Sequence, residues 1–109
     1  MSTLFEVFTK EYTMFQFIVT AQNAGKNVAV VDLAHAFDID VAKVAGVNVE
    51  QLIVSQPDTM PQAAEIGEVL ALSGAINLLV IIGEMSTRQL VRVRECASRT
   101  GAEVATFAA

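Results

Sequence analysis

Gly46-Val47-Asn48-Val49-Glu50-Gln51-Leu52-Ile53-Val54-Ser55-Gln56-Pro57-Asp58-Thr59 reads as a stop, a strand and a start in immediate succession. Gly46 ends a short helix predicted over residues 39–45, because glycine takes the left-handed turn that follows a helix at little steric cost. The apolar run 51–55 is a short strand. Pro57 breaks the chain. Asp58 or Thr59 then caps a helix that runs to about residue 72, and Pro61 falls in its first turn, where a missing N–H does no harm.

The same alternation extends outward in both directions. Residues 3–8 read as a strand. Residues 11–24 are helical in pattern, with Met14, Phe15, Phe17, Ile18 and Ala21 at helical spacing and Gly25 as the stop. The β-branched run 27–33 is a strand. Downstream, Ser73-Gly74 closes the helix from Thr59, and residues 76–82 form the most apolar strand. Ser86 or Thr87 caps a last helix to about Arg99, Gly101 ends it, and residues 103–107 are a final strand. Five strands joined by helical crossovers predict a three-layer α/β/α domain around a mainly parallel sheet.

Bulk composition narrows the function classes. The chain has 109 residues, the length of one domain, and 53% of them are hydrophobic against 17% charged. That is too apolar for disorder and implies a face covered by a partner or a second copy. The formal net charge of −5 disfavours binding to phosphate backbones. Arg88, Arg92, Arg94 and Arg99 read as a solvated helix face. The N-terminal run lacks a basic region and an apolar core, so no secretory signal is expected, and the apolar run 78–82 is too short to span a membrane. The single cysteine, Cys96, permits no internal disulfide and fits a cytoplasmic setting.

The run 46–59 resembles the corresponding run of bacterial RecA recombinases. The likeness continues through Gln62-Ala63-Ala64-Glu65-Ile66 and Leu72-Ser73-Gly74-Ala75, and upstream through Ala21-Gln22, Gly25-Lys26 and Asp32-Leu33-Ala34-His35-Ala36-Phe37-Asp38. It runs without a gap from about residue 10 to residue 82. The resemblance implies one RecA-like domain over 1–109, with sheet order 3-2-4-5-1. It also implies that the hydrolytic residues are missing. Where RecA proteins carry a glycine-containing phosphate loop, this chain passes from Thr9 directly to Lys10, and Glu11 and Tyr12 replace the hydroxyl residues that follow the loop lysine. Ile82 stands at the position of the magnesium-binding aspartate, and Ala34 at that of the carboxylate that activates water. Phosphoryl transfer rests on positioning and charge stabilisation, so the chain is expected to be no enzyme and to hold no nucleotide, cofactor or metal. The segment after residue 82 is too short for RecA-type DNA-binding loops.

The shortened ending is similar in outline to SulA-type cell-division inhibitors. It is also similar to ImuA-type proteins, which share stretches like Arg88-Gln89-Leu90 and Arg99-Thr100-Gly101-Ala102. The expected role is a non-catalytic binding or regulatory domain in a DNA-damage response or in division control. It would act on a protein partner or as a homodimer, with neither nucleic acid nor membrane involved. A residual nucleotide binder using Lys10, and an engineered or truncated RecA core without activity, are the other readings.

Single residues add little chemistry. His35, between Asp32 and Asp38, lacks the further ligands that a metal needs. Cys96 has no histidine near it and reads as a small packed apolar group. Asp58 and Thr59 sit where open α/β sheets bind ligands, but capping explains them as well. Phe15 and Phe17 lie about 200° apart on a helix, so one of them points away from the sheet. That outward aromatic, with Met60 and Met85 at loop tips, forms the candidate contact set Phe15, Phe17, Met60 and Met85.

Overall fold

In the computed structural model, the backbone is described for residues 2–108 and the side chains for residues 13–108. The elements in chain order are α1 (Ser2–Asn23), β1 (Val28–Asp32), α2 (Ile39–Val44), a 3-10 turn (Val49–Gln51), β2 (Leu52–Ser55), α3 (Met60–Leu72), β3 (Leu78–Ile82), α4 (Thr87–Thr100) and β4 (Glu103–Phe107). The four strands form one parallel sheet in the order β2-β1-β3-β4.

Two expectations are corrected here. Residues 3–8 are not a strand but part of α1, so the sheet has four strands and not five. The order 3-2-4-5-1 is corrected to the four-stranded β2-β1-β3-β4, because among the described residues no strand lies beside β4 on its outer side. The physical reason lies in the connection. A strand ahead of a helix at residue 11 needs a turn near residues 9–10, and the chain has no glycine or proline before Gly25. One helix running through accommodates those residues without a turn, its interior backbone groups bonded i to i−4.

Local chemistry sets the other boundaries. Asp38 caps α2 by accepting from the N–H groups of Asp40 and Val41. Between the two candidates for α3, Thr59 is the cap, its hydroxyl accepting from Gln62 N–H at 3.3 Å. Ser86 caps α4 through Gln89 N–H at 3.2 Å. Gly101, at φ 79°, ends α4 in the left-handed conformation that favours glycine.

The core lies on both faces of the sheet. Met14, Phe15, Ile18 and Ala21 of α1 and Ala42 of α2 pack on Val28, Val30, Leu78 and Val80. On the other face Ala63 and Ala71 of α3 and Val93 and Ala97 of α4 cover Ala29, Val31, Leu79 and Ile81. β1 and β3 are buried along their whole length, as expected of central parallel strands. Gly67 lets α3 and α4 approach, since a Cβ there would stand 3.3 Å from a methyl of Val93.

Candidate functional site

In an open parallel sheet the ligand crevice lies at the carboxyl ends of the strands, where successive crossovers leave in opposite directions. Here that point falls between β1 and β3, because the chain moves from β1 outward to β2 and then back to β3 and β4. The residues that meet there are Asp32 to Phe37, Gln56 to Asp58, and Ile82 to Glu84.

Asp32, at the end of β1, is fully buried. Its carboxylate accepts from Ala36 N–H at 3.0 Å, Phe37 N–H at 2.8 Å and the Gln56 side-chain amide at 3.0 Å. These bonds fold the loop after β1 back onto the strand and tie it to the end of β2. His35 adopts φ 55°, an uncommon left-handed conformation for a side-chain-bearing residue. Its Nε2 lies 2.9 Å from the Pro57 carbonyl oxygen and 3.9 Å from Asp58 Oδ1. Phe37 is buried, its ring edge-on to Phe15 with centroids 5.7 Å apart.

At the strand ends the ladders continue for one more residue. Ala34 N–H donates to the Ile82 carbonyl at 3.2 Å, and Gly83 N–H to the Phe107 carbonyl at 2.9 Å. Gly83, at φ 111°, comes so near the β1 end that a Cβ there would lie 3.2 Å from Ala34 N and 3.3 Å from Leu33 Cβ. The Ile82 side chain is 2% exposed and belongs to the core on the α1 face.

Asp32 and His35, weighed in the sequence against metal binding, both contact protein groups, and the His35 side chain stays about half exposed. Among the described residues no three His, Cys, Asp or Glu side chains gather as metal ligands would. Cys96 is partly buried on α4 and packs against the α3–α4 core. Expectations resting on Lys10, Glu11 and Tyr12 lie outside the described side chains. Of the four proposed contact residues, Phe15 is corrected to a core residue at 3% exposure, because its side of α1 faces the sheet. Phe17 is the outward aromatic at 40%, with its ring edge-on to Phe107 at 6.0 Å. Met60 is exposed at the start of α3, whereas Met85 is half-buried against the α3–α4 core. The side-chain partner of Asp32 just after β2, Gln56, was missed in the sequence. Only the neighbouring positions of β1 and β2 in the sheet could have drawn attention to it.

A parallel sheet flanked by helices on both faces and joined by helical crossovers is a three-layer α/β domain. The family model of the RecA N-terminal domain matches residues 5–103, and the chain belongs to that family. A protein RecA from Bdellovibrio bacteriovorus is 55% identical over 64 residues, which is 59% of this chain and 17% of the relative. The chain therefore spans about a sixth of the length of that relative. Among solved structures, the crystal structure of SulA from Pseudomonas aeruginosa superposes with a TM-score of 0.70 over 94% of this chain and 87% of that one, at 12% identity. That likeness is one of fold. No helix among the described residues is long and apolar enough to cross a membrane.

Proposed function

We propose that this chain is a non-catalytic RecA-like domain that works by binding another protein, in the control of cell division or another arm of a DNA-damage response. The observation that carries this reading is the character of the strand ends: Ile82 is buried in the core, and Gly83 lies so near the end of β1 that a Cβ there would stand 3.2 Å from Ala34 N. At the two positions matching the acidic residues of ATP-hydrolysing relatives, Ala34 has only a methyl group and Ile82 only a buried hydrocarbon. Neither can hold a hydrated cation or activate water.

Support for a regulatory role comes from the SulA-like fold at nearly full length and from exposed apolar side chains such as Phe17 and Met60. The acidic balance of the chain disfavours a nucleic-acid partner. Isothermal titration calorimetry with ATP and magnesium tests the reading. No heat of binding is expected up to millimolar nucleotide. A dissociation constant below about 0.1 mM, or more than roughly 5 kcal/mol of binding free energy, overturns it, the more so if Lys10→Ala abolishes that binding.

A further inference from the structure

Among the described residues, no strand pairs with the outer edge of β4. In a parallel ladder each residue directs both its N–H and its C=O to one side, and the side alternates along the strand. Glu103 N–H donates to the Asn77 carbonyl and Gly83 N–H to the Phe107 carbonyl, both at 2.9 Å. Glu103, Ala105 and Phe107 are therefore the residues bonded to β3. Val104 and Thr106 direct their backbone groups outward, and the one hydrogen bond there among the described residues is a long 3.4 Å bond from Arg94 Nη1 to the Val104 carbonyl.

Two surface hollows flank this edge, one on each face of the sheet, and Glu103 borders both. The α4-side hollow, of 340 Å3, is lined by Arg94, Ala97, Ser98 and Val104. The α1-side hollow, of 130 Å3, is lined chiefly by Phe17, Ala21, Ala24 and Leu78. Their electrostatics differ. On the α1 side, Lys26 Nζ is matched by Glu103 Oε1 at 3.2 Å, which leaves an apolar floor. On the α4 side the Arg94 guanidinium has no carboxylate partner among the described residues, unlike Arg92, which meets Glu68 Oε1 at 3.5 Å.

We infer that β4 receives an extended segment of a partner protein in which acidic and apolar residues alternate. Such a strand pairs with the outward groups of Val104 and Thr106, and its successive side chains fall on opposite faces. Its carboxylates meet Arg94 and Ser98 on the α4 side, and its apolar side chains enter the hollow beside Phe17 on the α1 side. A second copy is a poorer occupant. A two-fold antiparallel pairing of β4 with itself keeps the faces, so Val104 and Thr106 of the copy, neither of them a carboxylate, would meet Arg94. The inference rests on the protein-binding reading above, yet it fails separately: nucleotide binding removes that reading, and an unoccupied β4 edge removes only this one.

The test is a nuclear magnetic resonance titration of the 15N-labelled chain with a seven-residue peptide of alternating valine and glutamate, at low ionic strength. Amide shifts are expected at Val104, Thr106 and the neighbouring positions of α4. Arg94→Glu should weaken binding at least about tenfold by reversing the charge that meets the peptide. Thr106→Pro should abolish it, since proline removes an outward N–H and leaves the ladder to β3 intact. Arg88→Glu, off this edge, should leave binding unchanged and controls for net charge. Three results each overturn the inference: no movement of β4 amides, equal binding of the peptide with lysine in place of glutamate, or β4 shifts that track the concentration of the chain alone.

Discussion

Asp32 shows how one side chain can organise a loop. A carboxylate with no exposure is tolerated only when its lone pairs are used, and here two backbone N–H groups and one side-chain amide use them. Asp32→Asn keeps the size but faces at least one of those donors with another donor. We expect it to cost about 2–3 kcal/mol, since hydrogen bonds to a buried charged group are worth about 1.5–3 kcal/mol. Urea unfolding checks this: the midpoint should fall with the slope unchanged. A shift below about 0.5 kcal/mol would mean that the carboxylate does not hold the loop. The sequence drew attention to Asp32 and His35 without indicating what they do. A carboxylate beside an imidazole looks the same whether it serves a metal or a loop. The partners that decide, Gln56 and the Pro57 carbonyl, lie more than 20 residues away along the chain and are brought in by the β1–β2 register.

At the scale of elements, legibility followed the stop signals. Both ends of α4 and the start of α3 were readable because Ser86, Gly101 and Thr59 are residues whose backbone or hydroxyl chemistry caps a helix. Residues 3–8 had no such marker. Leu4, Phe5, Val7 and Phe8 suit a strand by composition and a helix by position, and the absence of a turn residue before Gly25 decided for the helix. Spacing alone separated Phe15 from Phe17 on α1 but did not say which of them faces the sheet. Phe15 sits in the core against Phe37, whereas Phe17 is 40% exposed. Phe15→Ala should therefore destabilise by about 3–5 kcal/mol, as buried phenylalanines do. Phe17→Ala should cost less than about 1.5 kcal/mol, because only part of its area leaves water. Thermal unfolding of the two variants side by side measures the difference. Equal losses would place both rings in the core and remove Phe17 from the contact surface.

The packing at the strand ends is a property of the whole molecule, and so a carboxylate cannot be placed at position 82 by one exchange. The register sets Ile82 beside Asp32 on one side and Phe107 on the other, on the α1 face of the sheet. Ile82→Asp would remove a buried hydrocarbon from that core. It would also place a carboxylate with no partner next to a carboxylate that is already buried. Each effect is unfavourable alone: a large-to-small core change costs about 2–5 kcal/mol, and a buried unpaired charge costs several more. Two like charges on adjacent strands add repulsion that nothing in the crevice offsets. A domain of this size has a total stability of about 5–15 kcal/mol, so the sum reaches the scale at which the fold is lost. We expect Ile82→Asp to be largely unfolded at neutral pH by circular dichroism, and magnesium with ATP not to rescue it. A folded variant that gained nucleotide binding would mean that the strand ends can open to admit phosphate and metal, and the non-catalytic reading would fall with the geometry that supports it.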